Sequence, residues 1–151
     1  MEISHKPPAA VIEVAIAALW RRRSGRVEVL ITRRPDRVHL GGSWELPGGK
    51  IGSCEVPAQA ARREVEEETG IQLDAHRLLP LITVEHAYPD RSVRIAAFLS
   101  EIDSDPGIRP SGILDYRWIP LADLPTVAFP DANARITGAI VTALAEDSML
   151  T

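Results

Sequence analysis

The segment from Pro57 to Gly70 constrains the fold more tightly than any other part of this sequence. Proline suits the first turn of a helix, where no N–H group is needed, and glycine suits the position after a helix, where the backbone turns left-handed. The two residues therefore predict a helix over 57–69. Apolar residues at 58, 61 and 65 share one face of that helix, which predicts packing against a sheet.

Strand patterns surround this helix without a strict alternation of strands and helices. Turn residues predict hairpins at 24–25 and 89–90. The frequent Gly and Pro of 36–54 predict that this stretch is mostly loop, and 103–114 is predicted to be a loop as well. A second, amphipathic helix is predicted over 134–145. The predicted fold class is α+β, with an α/β/α sandwich and a mixed sheet. The predicted strands are 11–20, 27–32, 44–46, 78–88, 92–102 and 116–119.

Length and composition favour one domain. The chain has 151 residues, of which 45% are hydrophobic, enough for one sizeable core. We expect a single domain over 1–151, with flexible ends at 1–10 and 147–151. A single cysteine, Cys54, excludes an intramolecular disulfide, so the expected compartment is the reducing cytoplasm.

Charge and hydropathy exclude two classes of partner. The net charge of −4 disfavours duplex nucleic acid, because neutralisation of phosphates supplies most of that affinity. The longest apolar run, residues 14–20, is too short to span a membrane. A small-molecule ligand is expected instead, bound by a monomer or a homodimer. The basic run 21–23 is interpreted as a solvated turn.

Three carboxylates share one face of the first predicted helix. Glu64, Glu67 and Glu68 stand at i, i+3 and i+4, so they repel each other within one turn. They also lie at the negative end of the helix dipole, which disfavours each anion by about 0.3–1 kcal/mol. A solvated face, with Arg62 and Arg63 paired to nearby glutamates, is the simpler alternative.

A divalent cation would offset both of these costs. A glycine-rich loop and a further acid, Glu55, precede the helix, and oxygen ligands alone favour Mg²⁺ or Mn²⁺ over Zn²⁺. Since Mg²⁺ is commonly shared with phosphates, a phosphorylated substrate is expected. The loop 47–50 is not a P-loop, because Trp44 and Ile51 replace the glycine and the Ser or Thr that such a loop needs.

These residues resemble a known family. Gly49, Glu55 and the segment 63–71 match the Nudix box, the signature of the Nudix hydrolases, at every fixed position. The resemblance covers nearly the whole chain from about 11 to 144. Further segments similar to MutT-type members are 32–34, 44–50, 88–91 and 129–133.

The resemblance implies a fold, an activity and a set of site residues. Family members form a Nudix-type α/β/α sandwich and cleave nucleoside diphosphates linked to another group. By position, Arg63 would orient the catalytic carboxylates Glu64 and Glu67, and Glu55 would support the loop. The implied metal ligands are the Gly48 carbonyl, Glu64, Glu67 and Glu68. The implied substrate-binding residues are Arg34, Asn133 and Phe129.

The activity implied by this resemblance is a Mg²⁺-dependent nucleoside triphosphate pyrophosphohydrolase, with Mn²⁺ as a substitute. It would hydrolyse an oxidised purine nucleotide such as 8-oxo-dGTP to the monophosphate and pyrophosphate. Two alternatives stay open. One is a Nudix hydrolase for ADP-ribose, CTP or a dinucleotide, and the other is a Nudix-fold module that binds nucleotides without catalysis.

One departure from the MutT pattern leaves the general base open. MutT-type enzymes carry a further glutamate in the loop before the last strand, and the loop 103–115 contains none. Asp103, Asp105 or Asp115 could replace it. The base is therefore either Glu64 or one of these loop aspartates.

Overall fold

The computed structural model describes residues 10–36, 41–103, 105–129 and 133–149, with side chains as far as 145. It contains seven strands, two α-helices and one 3-10 helix, Leu121–Thr126, within those ranges. The helices are α1 (Pro57–Thr69) and α2 (Ala134–Met149). The strands are β1 (Val11–Arg23), β2 (Arg26–Arg33), β3 (Trp44–Glu45), β4 (Gly48–Lys50), β5 (Leu79–Ala87), β6 (Ser92–Glu101) and β7 (Asp115–Pro120).

The sheet is mixed, and β1 lies at its centre. Along one edge β1 pairs in parallel with β6, and along the other it pairs antiparallel first with β4 and then with β2. The strand order is β3-β2-β1-β6-β5, with β7 added to β2. β1 changes its partner along this edge from β4, paired with Val14–Ile16, to β2, paired with Trp20–Arg23.

The core consists of two layers, one on each face of the sheet. Side chains of β1 alternate between them: Ile16 and Ala18 pack on the α2 side, whereas Ala15 and Ala17 pack on the α1 side. Burial on both faces explains why the β1 sequence is a continuous apolar run rather than an alternating one. The predicted α/β/α sandwich with a mixed sheet is confirmed.

Most predicted elements are present, and α1 has the predicted bounds. The clearest error concerns 21–23, predicted as a solvated turn, because β1 continues to Arg23. Arg21 is buried, donates to Glu28 at 2.8 Å, and places its guanidinium 4.1 Å from the Trp118 ring centre. The turn itself consists of Ser24 and Gly25, both with positive φ.

Two elements were missed, β4 and the 3-10 helix. Glycine is a poor strand former, so Gly48 and Gly49 gave no strand signal. The structure needs glycine here because a Cβ at Gly48 would overlap the Ala15 carbonyl oxygen. The 3-10 helix contains Pro125, which interrupts helical patterns.

Some predictions concern residues beyond this description. The expected flexible ends, 1–10 and 147–151, fall largely outside it, although the α2 backbone continues to Met149. Within the described residues, no helix has the length and apolar character needed to cross a membrane.

Two glycine substitutions should change stability in opposite directions. Gly48→Ala introduces an overlap with backbone, so it should lower the free energy of unfolding by more than about 1 kcal/mol. Gly138→Ala, at an open and exposed position of α2, should raise it by about 0.5–1 kcal/mol. Urea unfolding of both variants measures this. Wild-type stability in Gly48→Ala would contradict the close packing of β4 on β1.

Candidate active site

The site begins where α1 crosses β4 at very short range. A Cβ at Gly49 would overlap the Glu64 carboxyl group, and the Gly48 N–H donates to Glu68 Oε1 at 3.0 Å. The glycines therefore allow helix carboxylates to reach the strand backbone. A side chain at position 49 would displace the Glu64 carboxylate from this place.

The loop before β7 covers the end of α1. Gly70 is left-handed, with φ of 77°, and its N–H donates to the Glu66 carbonyl. The next acceptors are also satisfied: Arg109 N–H donates to the Thr69 carbonyl at 2.7 Å and Ser111 N–H to the Glu68 carbonyl at 2.9 Å. These bonds place 111–113 beside the carboxylates of the helix.

Arg63 organises the acidic residues. Its guanidinium donates twice to Glu55, at 2.7 and 2.8 Å, and its Nη1 donates to Glu64 at 2.8 Å and to Glu67 at 3.3 Å. Nη2 also donates to the Lys50 carbonyl at 3.1 Å. The Arg63 guanidinium thus holds three carboxylates and the end of β4, and its predicted role in orienting catalytic carboxylates stays a prediction.

Glu55 fastens the loop that leads into α1. It accepts the Gly52 N–H at 2.7 Å as well as the two bonds from Arg63. These bonds to its charged form lower the pKa of Glu55 to about 2. The structure therefore supports the predicted role of Glu55 in holding the loop.

A cavity of about 420 Å³, here called the carboxylate cavity, contains the three predicted glutamates. Burial raises the pKa of Glu68 to about 8, and the charges of Glu45 and Glu64 add to this effect. Its lining residues are Arg34, Pro35, Glu45, Gly48, Glu64, Glu67, Glu68, Ser111, Gly112 and Ile113.

The carboxylate cavity fits a divalent cation by its donor chemistry. In the described part of the chain, no three acidic, His or Cys side chains converge closely enough to form a metal site. Glu64 and Glu67 are instead held by Arg63. Even so, Glu68 is a half-buried acid beside the charges of Glu45 and Glu64, and a hard cation is the partner that would compensate its carboxylate.

A second cavity of about 350 Å³, here called the apolar cavity, adjoins the first. Arg34, Glu45 and Gly48 line both cavities, so the two meet at these residues. Asn133, the buried residue before α2, lines the apolar cavity. Its predicted role in substrate binding stays a prediction. The other lining residues are Ile12, Val14, Ile16, Leu46, Gly49, Lys50, Tyr88, Arg91, Val93 and Ile95.

Glu45 was not predicted as a site residue. It accepts a bond from Arg34 Nη1 at 3.1 Å, and its side chain is only 20% exposed. Burial raises the pKa of Glu45, although Arg34 opposes that rise. The available signal was an acid between Trp44 and Leu46 in an otherwise apolar strand.

Other predicted residues lie elsewhere. Phe129 lines a separate groove between the 3-10 helix and α2, not the apolar cavity. Asp103 and Asp105 line a groove beside Gly70, away from the carboxylate cavity. Asp115 begins β7 and lines neither of the two cavities. The structure therefore brings none of the three loop aspartates to the glutamates of α1.

Comparison with known proteins agrees with this geometry. The NUDIX domain family model matches residues 11–138. The 8-oxo-dGTP diphosphatase of Escherichia coli is 31% identical over 130 residues, covering 81% of this chain and 90% of that protein. That of Proteus vulgaris is 46% identical over 71 residues, covering 47% of this chain and 62% of that protein.

A solved structure shows the same fold. The NUDIX domain of Shewanella oneidensis NrtR, complexed with ADP ribose, aligns with a TM-score of 0.77 at 19% identity. The alignment covers 93% of this chain and 94% of that chain.

The chain belongs to the Nudix family, as a MutT-like member. It is accordingly an enzyme, a pyrophosphohydrolase that acts on phosphorus anhydrides. Enzymes of this family generally use a divalent metal ion.

The Glu55–Arg63 pair gives a pH prediction. A carboxylate whose pKa falls from 4.5 to about 2 on folding stabilises the fold above pH 4.5, and this contribution disappears as the pH falls towards 2. Glu55→Gln should therefore be less stable than wild type at neutral pH, and the gap should close between pH 4.5 and 2. Urea unfolding over this range measures it.

Glu66→Gln is the matched control. Glu66 is an exposed acid of α1, the helix that carries Arg63, and its side chain accepts a bond from Gln72. Its substitution should change stability little at any pH. A Glu55→Gln deficit that is independent of pH would contradict the assigned ion pair.

Proposed function

We propose that this enzyme hydrolyses an oxidised purine nucleoside triphosphate, such as 8-oxo-dGTP, to the monophosphate and pyrophosphate with Mg²⁺ or Mn²⁺. The meeting of the two cavities at Arg34, Glu45 and Gly48 carries the proposal. A nucleotide needs an apolar place for its base next to a charged place for its phosphates. Two relatives named 8-oxo-dGTP diphosphatase support the choice of substrate.

On the phosphate side, we assign the metal ligands to Glu64, Glu67, Glu68 and the Gly48 carbonyl. The cation, when bound, would acidify a water molecule and neutralise charge on the phosphates. Arg63 donates to both Glu64 and Glu67 and so holds them on the cavity side of α1, where they would bind the cation. Glu67 is the more exposed of the two, with 57% of its side chain accessible against 20% for Glu64.

The proposed reaction is attack of water on the β-phosphorus. A new bond forms between the water oxygen and the β-phosphorus, and the bond to the oxygen bridging towards the α-phosphorus breaks. The nucleoside monophosphate leaves, and the water proton passes to a base. We assign the base to Glu64, because Asp103 and Asp105 line a different groove and Asp115 lines neither cavity.

On the nucleoside side, Asn133 is proposed to read the base and Arg34 to bind the phosphate next to it. An amide presents a donor and an acceptor together, which suits the adjacent carbonyl and N–H of 8-oxoguanine. Arg34 lies where the cavities meet. With the base in the apolar cavity and the phosphates in the carboxylate cavity, the nucleoside would join its first phosphate at this place.

ADP-ribose is the second candidate substrate, favoured by the likeness to an ADP-ribose complex. CTP, a dinucleotide and a non-catalytic nucleotide-binding role are the remaining alternatives. A single domain in the cytoplasm, acting as a monomer or homodimer, completes the proposal.

A nucleotide panel tests both metal and substrate. We expect release of pyrophosphate from 8-oxo-dGTP with Mg²⁺ or Mn²⁺, a lower kcat/KM for dGTP, and no turnover in EDTA. ADP-ribose and CTP belong in the same panel, with phosphate detection after phosphatase treatment. Turnover of ADP-ribose alone would move the substrate to the second candidate, and full activity in EDTA would contradict the metal assignment.

Asn133→Ala separates base recognition from helix capping. Loss of a cap costs about 1 kcal/mol of stability and leaves the preference between substrates unchanged. Loss of a base contact should lower kcat/KM for 8-oxo-dGTP by about 10- to 100-fold and reduce its advantage over dGTP.

Phe129→Leu serves as the control for this experiment. Phe129 lies in the separate groove beside α2, so its substitution should leave the 8-oxo-dGTP to dGTP ratio unchanged. An unchanged ratio in Asn133→Ala would remove Asn133 from base recognition.

A further inference from the structure

The part of the site that the proposed function leaves without a role is Glu45. Its carboxylate is mostly buried, and among the described residues it is the one acid outside α1 that lines the carboxylate cavity. A buried carboxylate carries a desolvation cost. Glu45 bears this desolvation cost in a cavity that also contains Glu64, Glu67 and Glu68, whose negative charges repel it. Packing alone therefore does not account for an acid at this position.

The direct partner of Glu45 is Arg34, and the two come from neighbouring strands. Thr32 at the end of β2 pairs with Glu45 of β3, so Arg34, two residues further on, emerges on the same side of the sheet as Glu45. The ion pair between Arg34 Nη1 and Glu45 Oε2 measures 3.1 Å. The pairing of β3 with β2 fixes the position of the Glu45 carboxylate. The ion pair then restrains the end of the long Arg34 side chain.

The placement of this pair gives it a functional meaning. Both residues line the carboxylate cavity and the apolar cavity, so the guanidinium lies at the boundary between them. An arginine presents directional donors to a phosphate, and binding is more favourable when its side-chain torsions are already restrained. A carboxylate beside it removes that freedom before the ligand arrives.

We propose that Glu45 is a positioning residue that holds Arg34 at the boundary of the two cavities to receive the phosphate attached to the nucleoside. This assignment rests on the proposed function and adds a residue to it. Glu45 acts through Arg34 and does not itself bind the nucleotide. The role accounts for an acid near a polyanionic ligand, because the charge of Glu45 is directed to Arg34.

The chain contains a closely matched control pair. Glu28 on β2 accepts a bond from Arg21 at 2.8 Å, and its side chain is 21% exposed, compared with 20% for Glu45. Neither Arg21 nor Glu28 lines the two cavities. Glu28→Gln therefore removes a glutamate of similar exposure from an arginine–glutamate pair that lines neither cavity, although Arg21 is more buried than Arg34, at 6% against 33% exposed.

The test measures binding without metal, by calorimetry in EDTA, of 8-oxo-dGMP and of the nucleoside 8-oxo-deoxyguanosine. In Glu45→Gln we expect the Kd of the monophosphate to rise by about 10-fold, the scale of a weakened bond to a charged group. The Kd of the nucleoside should change by less than about 2-fold. Glu28→Gln should leave both constants unchanged.

A double-mutant cycle with Arg34→Gln tests the route of the effect. Since Glu45 acts through Arg34, the double variant should bind the monophosphate no more weakly than Arg34→Gln alone. Glu45→Asp, which keeps the charge but shortens its reach, should lie between wild type and Glu45→Gln. This variant also serves if Glu45→Gln does not fold, and thermal melts identify that case.

The outcomes separate this assignment from the proposed function. Equal behaviour of the Glu45 variants and Glu28→Gln would overturn the assignment, as would additive losses in the cycle or an equal loss of nucleoside binding. In each of these cases turnover of the triphosphate by the wild type would leave the proposed function intact. A wild type that neither binds the monophosphate nor hydrolyses the triphosphate would overturn both.

Discussion

The candidate site depends on the guanidinium of Arg63, which lies among three carboxylates. Without Arg63, the carboxylates of Glu64 and Glu67 would repel each other at the negative end of a helix, and Glu55 would lose its bidentate partner. Arg63 instead converts the repulsion into a network that also reaches the Lys50 carbonyl of β4. Helix, loop and strand are therefore held together through the same residues to which the proposal assigns the chemistry.

A second charge pair plays a comparable part on the sheet side of the site. Arg34 and Glu45 line both the carboxylate cavity and the apolar cavity, so they stand where the two meet. The two pairs differ in purpose. Arg63 restrains Glu64 and Glu67, which are proposed to bind metal. Glu45 is instead proposed to restrain Arg34, which would receive a phosphate. In both cases the order present before binding lowers the entropy cost of binding.

The sequence was most informative where local chemistry sets the structure. Pro57 and Gly70 predicted both ends of α1, and the spacing of Glu64, Glu67 and Glu68 predicted one shared helix face, from which all three line one cavity. It was least informative where distant segments decide. β4 was missed because the need for Gly48 comes from Ala15, and Glu45 was missed because its role depends on a neighbouring strand. Arg21 was misjudged for the same reason, since Trp118 buries it from another strand.

The pairing of β1 with β6 has a consequence for how the protein is made. Glu13 and Arg94, which face each other across these strands and form an ion pair, are 81 residues apart in sequence. The apolar cavity is lined from both strands, by Ile12 and Val14 on one and Ile95 on the other. A chain emerging from the ribosome therefore has no ligand cavity until most of it has been synthesised. Such long-range pairing is slow to form. Because the cavity does not exist before β1 and β6 pair, binding of a ligand can stabilise only the finished fold and not an earlier intermediate.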